Sequence, residues 1–101
     1  MANSDTAVKE RVNTNLREPS LYKVIYVNDD ATTMEFVVDS LMSVFGHSQE
    51  VSENLTMEIH NEGQSVVAVL PYEIAEQKGL EVTTMARNQG YPLIVKLEED
   101  I

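Results

Sequence analysis

Asn28, Asp29 and Asp30 stand in a row, with Thr32, Met34, Glu35 and Val37 close behind. Asx side chains hydrogen-bond their own backbone, so the triplet favours a turn. One such residue suffices for a turn, yet here two carboxylates and an amide meet apolar residues at a helix start. That rim suits a ligand carrying a cation beside an apolar group. Other chemistries are poorly served. A nucleophilic enzyme needs Ser, Cys or Thr beside a positioned base, but the chain has no cysteine, two histidines and no G-x-S-x-G. Asp29 and Asp30 are sequence neighbours that tend to point apart, which is unfavourable for paired acid and base work. The four glycines are scattered rather than gathered into a phosphate-binding loop. Metal binding by Asp29, Asp30 and His60 lacks any ligand spacing, so no metal or other cofactor is expected.

The elements that position this stretch follow from pattern. Tyr22 to Val27 is rich in β-branched and aromatic residues and predicts a strand. Thr32, with Glu35 three residues on, predicts an N-cap and capping box. Met34, Val37, Val38, Leu41, Val44 and Phe45 then form the apolar stripe of a first helix, closed by Gly46 and His47. Ser48 opens a second helix running to about Glu62, with Val51, Leu55 and Ile59 facing inward, His60 in the last turn and Gly63 as C-cap. Ser65 to Leu70, apolar on both faces, predicts a central strand. Pro71 suits the first turn of a third helix carrying Ile74, Ala75, Val82, Met85 and Ala86, with Gly79 in its middle and Asn88-Gln89-Gly90 at its end. Pro92 to Leu97 predicts a last strand. The expected class is α+β: β-α-α-β-α-β, three helices on one face of a small, mainly antiparallel three-stranded sheet.

At 101 residues one domain is expected, over 21–101, behind a flexible N-terminal extension over 1–20 that is poor in large apolar residues and ends at Glu18-Pro19-Ser20. The net charge is −10, and all of it lies beyond residue 20, because Lys9, Arg11 and Arg17 balance Asp5, Glu10 and Glu18. Such a surface repels nucleic acid. No run is long and apolar enough to span a bilayer and none reads as a signal peptide, so a soluble, intracellular, monomeric protein is expected.

The run Tyr22-Lys23-Val24-Ile25-Tyr26-Val27-Asn28-Asp29-Asp30, then Thr32 and Met34-Glu35-Phe36-Val37, Ile59-His60 with Gly63, Ala75-Glu76 with Lys78, and Pro92-Leu93 closely resembles the ClpS family over about residues 20 to 98. These are adaptors that deliver N-degron substrates to the ClpA or ClpC unfoldase of the ClpP protease. The resemblance implies a non-catalytic protein that binds the free N-terminal residue of its substrates, where that residue is Phe, Tyr, Trp or Leu. By motif position, Asn28, Asp29 and His60 would hold the α-ammonium. Met34, Val37, Thr56, Ile59 and Leu93 would line the side-chain pocket, with Asp30 and Thr32 at its rim. Glu73 and Lys78 would belong to a separate face that docks on the unfoldase's N-terminal domain. Bacterial cytoplasm is the implied compartment, with the plastid stroma as alternative. The sequence departs from the family at Thr56, where Met is common, and at Thr33, where Pro is usual. A smaller residue at 56 deepens the hole and brings in a hydroxyl, favouring aromatics over Leu. A different class, a non-catalytic structural or assembly module with the fold of the ribosomal stalk protein's C-terminal domain, would not require the Asn-Asp-Asp loop together with His60. An enzyme built on Asp29 and His60 comes third.

Overall fold

The computed structural model describes residues 20–101, so the N-terminal extension lies, apart from Ser20, outside the described residues. Six elements follow: β1 Leu21–Val27, α1 Met34–Phe45, α2 Gln49–Glu62, β2 Gln64–Pro71, α3 Tyr72–Asn88 and β3 Ile94–Glu99. The strands form one antiparallel sheet in the order β2-β1-β3, and the helices cover one of its faces, as expected. Val24 and Tyr26 of β1 enter the same core as Leu41 of α1, Ile59 of α2, Val82 of α3 and Leu93 from the α3–β3 turn.

The central strand is β1, not the more apolar β2. In β1, Val24, Ile25 and Tyr26 are all buried, whereas β2 buries Ser65 and Val67 and exposes Val66 and Val69. Strand side chains alternate between faces whatever their chemistry, so a wholly apolar run can still sit at an edge with half its residues wet. A bulge opposite Val24 and Ile25 leaves Val67 without a partner residue in β1. The imidazole Nε2 of His47 lies 2.8 Å from the Val67 carbonyl, and a hydrogen bond there pins the α1–α2 corner to β2.

Both α2 and α3 turn the expected side inward, with Leu55 and Ile59, and Ala75, Val82, Met85 and Ala86, in or against the core. Each leaves one expected apolar residue wet and buries small residues instead. In α2 the buried residues are Ser52, Thr56 and Ile59, while Val51 is exposed. In α3 they are Ala75, Gly79, Val82 and Ala86, with Ile74 exposed. Small side chains let helix backbones approach their neighbours closely, and that packing outweighs the burial of one larger residue. At Gly79 an added Cβ would meet the Val95 Cγ1 at 3.6 Å, an ordinary contact. Gly79→Ala should therefore raise unfolding stability by about 0.5–1 kcal/mol through helix propensity and a less flexible unfolded chain. Urea titration checks this, and a lowered midpoint would mean that α3 cannot accommodate the methyl group.

Candidate functional site

Where β1 ends, Asn28 N–H donates to the Gly63 carbonyl at 2.9 Å. Gly63, at φ 90°, is the left-handed cap of α2, a conformation that suits glycine. The loop after β1 is thus sewn to the end of the helix whose last turn carries His60. The next residue organises the loop. Asp29 Oδ1 accepts from Ala31 N–H (2.8 Å) and Thr32 N–H (2.7 Å), and its Oδ2 accepts from the Thr32 hydroxyl (2.8 Å). Desolvation opposes ionisation of this carboxyl. The hydrogen bonds from Thr32 and Ala31, with the Arg87 charge, outweigh it and hold the pKa below the ordinary aspartate value. Asp30 and Asn28 stay exposed beside it.

The helix begins one residue later than its capping pattern suggests. Thr33, not Thr32, is the N-cap, accepting from Phe36 N–H at 3.1 Å. Thr32 is drawn away because its hydroxyl and amide both serve Asp29, and Glu35 then falls too early in the helix to complete a capping box. Met34, the first helical residue, is 43% exposed. With Val38 it faces Thr56 and Met57 of α2 across a groove of about 650 Å³, whose remaining lining is Glu35, Asp39, Gln49 and Glu53. That volume falls within the range of about 300–1,000 Å³ common for small-ligand sites. The carboxylates around it make its field negative, as a cationic ligand would require.

The candidate pocket residues divide into two sets. Met34 and the 5% exposed Thr56 line the groove, whereas Val37, Ile59 and Leu93, at 6, 3 and 1% exposed, are not in its lining and pack together in the core. The Thr56 hydroxyl does not face the groove as a free donor, because it donates to the Ser52 carbonyl at 2.7 Å. Val37 is braced from within: Ser40 Oγ donates to the Val37 carbonyl (2.9 Å), which leaves the Tyr26 hydroxyl to donate to Ser40 (2.7 Å). Burial pushes the Tyr26 phenol well above its usual pKa, with Ser40 pulling the other way. His60 is exposed in the last turn of α2. It lies four residues from Thr56 and seven from Glu53, and so on the groove side of that helix.

The two residues expected at a separate docking face are both on α3, outside the lining of the groove. Glu73 is exposed in the first turn of α3, beside a shallow recess lined by Pro71, Tyr72 and Ile74. Lys78, five residues on, points well away from it and donates to the Val44 carbonyl at 2.9 Å. There its charge also complements the negative end of α1. Among the described residues no cluster of three or more metal-binding side chains occurs, and no helix is long and apolar enough to cross a membrane. Two supports near the site escape a motif-based reading: the Tyr26–Ser40 pair behind Val37, and Arg87, whose Nη1 reaches the carbonyls of Tyr91 and Leu93. The one available signal for Arg87 is that it is among only four basic residues beyond residue 20 in an acidic chain.

Comparison with known proteins gives this arrangement a family. The profile described as "ATP-dependent Clp protease adaptor protein ClpS" matches residues 17–96. A relative from Helicobacter hepaticus, named ATP-dependent Clp protease adapter protein ClpS, is 43% identical over 93% of this chain and 95% of its own. One of the same name from Nautilia profundicola is 46% identical over 80% of this chain and 84% of its own. Agrobacterium tumefaciens ClpS2, solved bound to L-phenylalaninamide, superposes with a TM-score of 0.80 at 38% identity, covering 82% of this chain and all of that one. The chain therefore belongs to the ClpS family of Clp protease adaptors.

Proposed function

We propose that the groove and the β1–α1 loop together bind the free N-terminal residue of substrate polypeptides, for Phe, Tyr, Trp or Leu, and that the domain delivers those substrates to the N-terminal domain of a ClpA- or ClpC-type unfoldase. The observation that carries this reading is the ligand of the Agrobacterium neighbour. Phenylalaninamide has a free α-ammonium, a benzyl side chain and an amide where a peptide would continue, so it stands in for the first residue of a chain. The same requirements suit the loop and groove here. An ammonium offers three donors, and the acceptors proposed for it are the Asn28 side chain, the Asp29 carboxylate and the His60 imidazole. Asp29 Oδ2 accepts only from the Thr32 hydroxyl, so the carboxylate keeps acceptor capacity while its bonds from Ala31 and Thr32 shape the loop. Asp30 and Thr32 form the rim beside it. Met34 and Thr56 take the side chain, with Val37, Ile59 and Leu93 as the wall behind. For unfoldase docking, Glu73 is the freer candidate, since Lys78 is engaged with Val44. Because the protease is ATP-dependent, the proposed place of action is the bacterial cytoplasm.

Titrating a fluorescent Phe-first peptide with its amine free or acetylated tests the reading, and binding that ignores the amine refutes it. The pocket also carries a size preference. With its hydroxyl turned to Ser52, Thr56 offers a methyl and a smaller volume than a thioether chain. A Phe-first peptide is expected to bind about tenfold more tightly than a Leu-first one, through the extra apolar area it buries. Thr56→Met should shrink that ratio, and equal or better binding of the Leu peptide by the native chain would exclude the effect.

A further inference from the structure

The α3–β3 turn is held by one exposed side chain. Arg87 Nη1 donates to the Tyr91 carbonyl at 2.8 Å and the Leu93 carbonyl at 2.9 Å. Backbone bonds from Gln89, Gly90 and Tyr91 to the carbonyls of Ala86 and Arg87 close the same turn. Tyr91 then meets the start of α1: its ring lies edge-on to Phe36 with centres 5.3 Å apart, and its hydroxyl is 3.4 Å from the Thr33 hydroxyl that caps the helix. The guanidinium charge reaches the β1–α1 loop as well, where it is among the influences stabilising ionised Asp29.

We propose that Arg87 is a positioning residue of the binding site: it sets Leu93 in the pocket wall, holds Tyr91 against the first turn of α1, and balances the acidic loop that receives the ammonium. The inference rests on the amine-binding reading above. Arg87 touches no ligand in this account, and its effect passes through Leu93, Tyr91 and Asp29. A guanidinium suits the task because one planar, permanently charged group can hold the carbonyls of Tyr91 and Leu93 together while its charge is felt at the neighbouring loop.

The test uses the full chain, with NMR of the ligand-free protein and anisotropy titration of a Phe-first peptide. In Arg87→Met the amide signals of Leu93, Thr32 and Thr33 should move together, and the Asp29 carboxyl should titrate at higher pH. Peptide affinity should fall about tenfold, as expected for lost hydrogen bonds from a charged donor. Arg87→Lys keeps the charge without the fork, so Asp29 should titrate near its native position while affinity falls partway. A purely structural strut would not produce that split between the variants. Native affinity and an unmoved Asp29 titration in Arg87→Met overturn the proposal. If Arg87→Met fails to fold, Arg87→Lys decides, and native affinity together with unmoved Leu93 and Tyr91 signals overturns it. Failure of the native chain to bind the peptide overturns the amine-binding reading instead, and the ligand-free spectra of Arg87→Met tell the two failures apart.

Discussion

Acetylating the α-amine of a Phe-first peptide is expected to weaken its binding by a hundredfold or more. The acyl group removes the positive charge and leaves a single N–H where three donors stood. The Asn28 side chain, Asp29 and His60 would then face a neutral group while the Asp29 carboxyl, its pKa lowered, stays ionised. A polar group left unpaired on binding costs about 1–3 kcal/mol, and more where it is charged. Two such losses are about 3 kcal/mol, or a factor above a hundred. Glu35, Asp39 and Glu53 around the groove add to the preference for the cationic form, and this part should weaken with added salt. Isothermal titration with matched peptides measures the difference, and mass spectrometry of the recovered peptide checks that it returns uncut, as an adaptor requires. Affinities within threefold of each other would remove the basis for placing the ammonium at this loop.

The second large effect separates the two neighbouring aspartates. Asp29→Ala releases three hydrogen bonds that hold Ala31 and Thr32 in place, so it should disorganise the loop and reduce affinity by roughly ten- to a hundredfold. Asp30→Asn should leave the loop intact and weaken binding less, by removing one negative charge from the rim beside the ammonium. Amide spectra distinguish the two, because only Asp29→Ala should shift Ala31 and Thr32 without ligand. The pH dependence differs as well. Asp29 has a lowered pKa in the folded state, so its contribution to stability is fully present above the unfolded value of about 3.9. It is lost only as pH falls through the still lower folded value. The loop should therefore keep its shape in mild acid, and Asp29→Asn should remove a stability increment that the native chain loses only in strong acid. Circular dichroism of both chains between neutral and strongly acidic pH reads this out. Identical acid profiles would mean that the Thr32 and Ala31 bonds do not stabilise the ionised carboxyl.

The structural role of Lys78 also bears on any study of its docking face. A change there loses a hydrogen bond to Val44 at the end of α1 as well as a surface charge. A docking defect in Lys78→Ala is therefore informative only beside a stability measurement, whereas Glu73 has no such complication among its described contacts.

Much of this protein is written in local sequence. The order of elements, the Ser48 and Gly63 caps of α2 and the acidic turn after β1 all follow from residue types acting within a few positions of one another, the range of periodicity and capping. The ClpS resemblance was legible from the β1–α1 motif for the same reason, since that motif is contiguous. Tertiary structure alone decided the rest. Which apolar strand became central depended on β3 returning to pair with β1, and the burial of Ser52, Thr56 and Gly79 in place of Val51 and Ile74 depended on how closely small residues let the helices approach. Thr32 lost the cap to Thr33 because Asp29 captured it, and the Thr56 hydroxyl turned to Ser52 instead of the groove. The turn that places Leu93 is clamped by Arg87, six residues earlier and across the end of a helix. Periodicity records the faces an element offers. Competition among hydrogen-bond partners, and the distance at which backbones can pack, settle which of them is used.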